Sequence, residues 1–206
     1  MAQVNYIFAA RELLELLGAL MQEPLLDDFA LAGGTALAYH LHHRTSVDID
    51  LFNLYEFKTQ AIKTLFVEKY QASRIYAEPN TISAFIQDIK VDCLTHSYPL
   101  LSDLQIIDGV RLYALKDIAA MKLNAISGRG IRKDYWDIGV LLEHFSLQEM
   151  IGFFQSKYSM NDVWHLLKSL NEIDAADRDT TPIQSTSELS WDSIKRRIKL
   201  ELQRII

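Results

Sequence analysis

Asp48-x-Asp50 stands in the run Val47-Asp48-Ile49-Asp50-Leu51-Phe52, where apolar and acidic residues alternate. Side chains on a strand alternate between faces, so both carboxylates of such a run share one side of a sheet. A third carboxylate, Asp92, lies in Ile89-Lys90-Val91-Asp92-Cys93-Leu94, and it joins the first two if its strand lies alongside in matching register. Three like charges so close repel and call for a cation, and a donor set made only of oxygen selects Mg²⁺ or Mn²⁺ over zinc. Two such cations about 3.5 to 4 Å apart can hold a triphosphate, activate an attacking hydroxyl and neutralise a departing pyrophosphate. Upstream, Gly33-Gly34-Thr35 follows the apolar run Phe29-Ala30-Leu31-Ala32 and opens a helical stretch towards Leu41. Glycines let backbone N–H groups approach phosphate, the helix N-terminus adds positive potential, and the Thr35 hydroxyl can cap the helix or donate to phosphate.

A second constellation follows Leu112. Lys122, Arg129 and Lys133 are spaced 7 and 11 residues from the first, which on an unbroken helix puts three cations on one face. Ser127-Gly128-Arg129-Gly130 breaks that helix in two. Asp134 and Asp137 accompany the cations, and Lys133 with Asp137 has the spacing of an ordinary surface ion pair.

The elements that position these residues read as follows. A helix runs from Tyr6 to Met21 on apolar residues spaced three and four apart. Strands are predicted at Phe29–Ala32 and Val47–Phe52, a helix at Lys58–Tyr70, and strands at Arg74–Glu78, Ile82–Gln87 and Ile89–Thr95, the first two of these joined by the turn Pro79-Asn80-Thr81. Helices then follow over Asp117–Ile126, Lys133–His144, Leu147–Tyr158, Asn161–Leu170 and Trp191–Ile206, with a loop from Asp174 to Ser190. The expected organisation is a strand-rich part, residues 1–112, and a helical part, residues 113–206. Trp136, Tyr135 and Trp164 read as core of the helical part.

Composition narrows the function classes. The chain has 206 residues, of which 49% are hydrophobic and 23% charged, as in a compact folded domain. Its net charge is −6, and the surplus lies wholly in residues 1–112, where 14 acids face 8 bases. That argues against a general nucleic-acid footprint, and no DNA partner is expected. Apolar runs fall short of the roughly 18 residues that span a bilayer, so a cytoplasmic protein without membrane partners is expected. Cys93 is the only cysteine, which removes disulfides and thiolate metal clusters. His40, His42 and His43 lack further ligands at zinc spacing.

Taken together, Leu31-Ala32-Gly33-Gly34-Thr35-Ala36-Leu37-Ala38, Arg44-x-Ser46-Val47-Asp48-Ile49-Asp50-Leu51-Phe52, Lys90-Val91-Asp92, Asp117-Ile118-Ala119-Ala120-Met121-Lys122 and Arg129-Gly130-x-x-Lys133-Asp134-x-x-Asp137 resemble, in order, the motifs of the AbiEii toxin family of nucleotidyltransferases. The resemblance covers about residues 30 to 145. It implies an α+β, polymerase-β-like nucleotidyltransferase fold, with a mixed sheet, flanking helices and a C-terminal helical lobe that closes the cleft. It also implies that Gly33, Gly34 and Thr35 hold phosphates, that Asp48, Asp50 and Asp92 bind Mg²⁺ or Mn²⁺, and that Asp92 acts towards the acceptor hydroxyl. Lys122, Arg129 and Lys133 would contact the triphosphate or acceptor, Asp137 would orient Lys122 or act in catalysis, and Asp134 would support the neighbouring cations. The partners implied are an NTP donor, a tRNA or other RNA acceptor and a cognate antitoxin. Where relatives carry Gly-His-Arg before the acidic strand, this chain has His42-His43-Arg44. The same chemistry directed at a small antibiotic-like acceptor, or a nucleotide-binding module without catalysis, are the competing readings.

Overall fold

A computed structural model describes residues 8–186 and 188–205. Tyr6, Ile7, Ser187 and Ile206, at the edges of the expected first helix, the 174–190 loop and the last helix, lie outside the described residues. The chain divides into two compact units, one running to Pro99 and including Asp103–Tyr113, the other made of Leu100–Ser102 and the chain from Ala114 onward.

Among the described residues the first unit contains a mixed seven-stranded sheet, three α-helices and a 3₁₀ turn at Pro24–Leu26. Helix α1 (Arg11–Leu20) buries Leu13, Leu16, Leu17 and Leu20 along one stripe. Strand β1 (Ala30–Leu31) leads into α2 (Gly33–Leu41), then β2 (Asp48–Asn53), α3 (Thr59–Glu68), β3 (Ser73–Glu78), β4 (Thr81–Ile86), β5 (Ile89–Thr95), β6 (Gln105–Ile107) and β7 (Val110–Leu112). The spatial order is β3-β4-β5-β2-β1-β7-β6. Pairing is parallel for β2 with β5 and β1 with β7, and antiparallel elsewhere. Ile49, Leu51, Ile82, Ala84, Ile86, Val91 and Cys93 are buried along one set of alternating positions. Ile62 and Phe66 of α3, which packs on β3 and β4, are buried as well.

Sharp turns set the register. Gln87 and Asp88 connect β4 to β5 with positive φ at both residues, and Asp108 and Gly109 do the same between β6 and β7, the backbone that a two-residue hairpin requires. The β6–β7 hairpin is absent from the sequence expectations. Arg111 of β7 fastens this edge, donating to the carbonyl oxygens of Phe29 (2.9 Å), Met21 (3.1 Å) and Leu26 (2.9 Å).

The second unit is helical: α4 (Leu115–Gly128), α5 (Arg132–Leu141), α6 (Leu147–Tyr158), α7 (Trp164–Asn171) and α8 (Trp191–Gln203). Gly130, with φ +48°, carries the chain from α4 to α5, so the expected break is present. Helix α6 starts on a capping box, the Ser146 hydroxyl accepting from the Glu149 N–H and the Glu149 carboxylate from the Ser146 N–H. Gly139 lets α5 and α8 approach, since a methyl group there would run into Ile194. Two expectations are corrected. Ile173–Arg178, the start of the expected loop, forms a 3₁₀ segment because Ile173 and Ala176 find apolar cover. Trp164 is 68% exposed, because Leu166 and Leu170 carry the apolar stripe of α7 instead. Among the described residues no helix is long and apolar enough to cross a membrane.

Candidate active site

In the first unit the parallel pairing of β2 with β5 aligns Asp48 with Lys90 and Asp50 with Asp92. Directly paired residues point to the same side of a sheet, so all three carboxylates and the Lys90 ammonium share the face opposite the buried Ile49, Leu51, Val91 and Cys93. The four are half-buried. Lys90 Nζ stands 2.5 Å from Asp92 Oδ2. The Asp92 contact, with smaller contributions from Asp50 and Asp48, raises the lysine above its ordinary value against the opposing effect of burial. The other Asp92 oxygen, Oδ1, is buried and has no hydrogen-bond partner. Among the described residues no three His, Cys, Asp or Glu side chains are drawn together closely enough to hold a metal ion. The trio is aligned on one face without converging.

The glycines border the same carboxylates. Ala32 N–H donates to the Asp50 carbonyl oxygen (2.8 Å), which brings the start of α2 against β2. Gly33 has φ +65°, and a methyl group there would overlap the Asp50 carboxylate. Helix geometry leaves the first N–H groups of α2 without intrahelical acceptors. Gly34 lies against the Arg44 guanidinium, whose Nη2 would be 2.5 Å from an added methyl carbon. Thr35 is not the helix cap, a position held by Ala32. Its hydroxyl is buried and donates to the Asp48 carbonyl oxygen, and it lies 2.7 Å from Ser46 Oγ. Thr35 therefore ties α2 to the acidic strand. His40 Nε2 donates to the Tyr113 carbonyl oxygen (2.9 Å), which occupies it outside any zinc site. Burial holds that imidazole below its ordinary value, in spite of the Tyr113 bond.

The second unit gathers the other candidates. Lys122 Nζ, 6% exposed, lies 2.6 Å from Asp137 Oδ2 and 3.2 Å from Asp134 Oδ1. Arg129 Nε and Nη2 donate to the two oxygens of Asp134 at 2.8 and 2.9 Å, a fork-on-carboxylate geometry. Burial by itself would raise the Asp134 carboxyl, but the Arg129 hydrogen bond and the charge of Lys122 outweigh it and hold it below the ordinary value. Asp137 is fully buried and is a partner of Lys122 inside the unit, so the alternative of an ordinary surface pair with Lys133 does not apply. Lys133 is half-buried on α5 and acts electrostatically on Asp179. On α8 the cations are largely matched within the unit, Lys195 by Asp177, Lys199 by Asp174, Arg197 by Glu143 and Arg204 by Glu201.

Residues 15–204 match the family model described as nucleotidyl transferase AbiEii toxin, type IV toxin–antitoxin system. The chain belongs to the AbiEii family of nucleotidyltransferases. It is 30% identical to an uncharacterized protein of Aquifex aeolicus over 189 residues, covering 87% of this chain and 90% of that one. The crystal structure of JHP933 from Helicobacter pylori has the same fold, with a TM-score of 0.59 at 16% identity over 96% of this chain and 93% of that one. A second H. pylori crystal structure superposes with a TM-score of 0.59 at 16% identity, covering 95% of each chain.

In this AbiEii-family chain the structure sets two further motif residues, Arg44 and Lys90, beside the candidate set. Arg44, buried at 6% exposure, backs onto Gly34, and no spacing rule announces that contact. Lys90 precedes Asp92 by the period of a strand, which puts both on one face. That signal was legible in the sequence, although its link to Asp48 and Asp50 depended on knowing which strand lies beside β5.

Proposed function

We propose that this nucleotidyltransferase moves a nucleoside monophosphate group from an NTP to a hydroxyl or terminal phosphate of tRNA or another macromolecule, as the toxin of a pair restrained by an antitoxin. The observation that carries the reading is the register that sets Asp50 beside Asp92 while Gly33 backs onto the Asp50 carboxylate. The donor set fits a hard divalent cation, being carboxylate oxygen throughout, and Asp92 Oδ1 is a buried acceptor without a hydrogen-bond partner. Asp48, Asp50 and Asp92 would hold Mg²⁺ or Mn²⁺, which when bound supplies neutralisation of charge at the attacked phosphate and the leaving pyrophosphate.

The chain's own groups do the rest. N–H groups of Gly33 and Gly34 meet the phosphates at the positive end of α2, while Thr35 and Arg44 hold the glycine turn and the acidic strand in place. Asp92 receives the proton of the acceptor hydroxyl. In the second unit Asp134 and Asp137 fix the position of the buried Lys122, and the more exposed Arg129 and Lys133 are the cations that would meet an acceptor. Such a site accelerates transfer by positioning and electrostatic stabilisation, with no covalent enzyme intermediate.

The test is incubation of the full chain with each of the four labelled NTPs, Mg²⁺, and either total RNA or candidate small acceptors. Label should enter the RNA fraction, and Asp50→Asn should abolish it while the unfolding midpoint stays near that of the wild type. Transfer that survives Asp50→Asn would refute the assignment, and label found only on a small acceptor would redirect it to the antibiotic-type reading.

A further inference from the structure

The sheet face that carries the carboxylates also carries its own cation. Lys90 is the register partner of Asp48 and sits two residues before Asp92, the register partner of Asp50, so its side chain shares the face of the trio. It bonds one oxygen of Asp92 at 2.5 Å and leaves the other buried without a partner.

We infer that Lys90 is a positioning residue that latches one oxygen of Asp92, so that a divalent cation completes its carboxylate set by displacing the lysine ammonium. The inference rests on the assignment of Asp48, Asp50 and Asp92 as metal-holding groups. The lysine side chain is 41% exposed, so its head can swing to water when the cation arrives, at the modest cost of a half-exposed pair. Without a metal the latch relieves repulsion among the carboxylates. With one it yields.

The test measures Mn²⁺ binding to the full chain in the absence of nucleotide, from the loss of the free Mn²⁺ electron paramagnetic resonance signal. Lys90→Met should bind Mn²⁺ about tenfold more tightly than wild type, because the cation no longer displaces an ion pair. Lys90→Arg, which keeps the charge, should return the affinity to within about twofold of wild type. Arg74→Met removes a cation from β3 in the same sheet and serves as the charge control, with an expected change under about twofold at ordinary ionic strength. Lys90→Met should also melt at a lower temperature in EDTA and recover with Mn²⁺, and Lys90→Gln replaces it if the Met variant does not fold.

Equal or weaker binding by Lys90→Met, with wild-type binding still dependent on Asp50, overturns the latch and leaves the metal assignment standing. Equal tightening by Arg74→Met also overturns it, since a general field would then account for the gain. Absence of Asp50-dependent binding in both wild type and Lys90→Met overturns the metal assignment, and the latch with it.

Discussion

Gly33→Ala separates the cost of a backbone from the cost of a misplaced carboxylate. At φ +65° an alanine adopts a left-handed conformation that costs an L-residue about 1 to 2 kcal/mol. The added methyl also overlaps the Asp50 carboxylate, and the side chain must turn to relieve the contact. For a chain of this size that loss lowers the melting temperature by about 2 to 8 °C. The functional cost is larger, because Asp50 turns away from its place beside Asp92 by a distance comparable to the overlap, and displacement of about 1 Å at a reacting centre costs about 100-fold. Gly34→Ala is the matched control. Gly34 has no positive φ, and its methyl would meet the Arg44 guanidinium and, in ordinary contact, Ser46 Oγ, but not Asp50. The assays are a thermal melt and labelled-NTP transfer at a temperature where both variants are folded. Gly33→Ala should lose about 100-fold in transfer with a melt only a few degrees lower, and Gly34→Ala should lose less of each. Full transfer by folded Gly33→Ala would refute the reasoning, since Asp50 would then tolerate being moved.

Two further expectations concern stability. Lys157 and Asp117 are fully buried and paired at 2.7 Å, and Asp117 also accepts from the N–H groups of Leu101 and Ser102; Lys157→Met strands that carboxylate and should cost about 3 to 5 kcal/mol in urea unfolding, against under about 1 kcal/mol if the pair contributes nothing. For His40 the folded value lies below the ordinary 6.5, so the unfolded chain takes up the proton first. The contribution of His40 is therefore fully present above pH 6.5 and is lost as pH falls from 6.5 towards the folded value, with a slope of at most about 1.4 kcal/mol per pH unit. Urea midpoints at pH 7.5, 6.5 and 5.5 should show this decline in the wild type and a flatter one in His40→Gln, and identical pH profiles would exclude the residue as the source.

Much of the fold was legible because its local signals agree with its packing. The alternation in residues 47–52 and 89–95 reappears as alternating burial in β2 and β5, and Leu147–Tyr158 is a helix over the expected residues. The β6–β7 hairpin escaped because each strand has only three residues, too few for a period to emerge, although Asp108-Gly109 is a strong hairpin turn signal. Thr35 misled because a threonine after two glycines resembles a helix cap, whereas Gly33 with its positive φ already begins the helix two residues earlier. Asp134 and Asp137 were legible as charged residues on one helix face but not as buried ones. Their burial depends on Lys122 and, for Asp134, on Arg129 arriving from outside α5, and a sequence pattern does not state such a match.

The limit of sequence reading at the candidate site is a matter of register. Alternation along β2 places Asp48 and Asp50 on one face, and alternation along β5 places Lys90 and Asp92 on one face, but neither says which residues sit opposite each other. A one-residue slip between these parallel strands would turn Asp92 and Lys90 to the buried side, beside Ile49 and Leu51, at the cost of two desolvated charges. A two-residue slip keeps the faces and moves only the partners, bringing Lys90 opposite Asp50 or leaving Asp92 opposite Asp48. The observed register, Asp48 with Lys90 and Asp50 with Asp92, pairs one carboxylate with a cation and two with each other. Pairing acid with acid is by itself the less stable choice for a sheet, and the Lys90 ammonium, 2.5 Å from Asp92 on the same face, offsets it, a compensation that no pattern along either strand states.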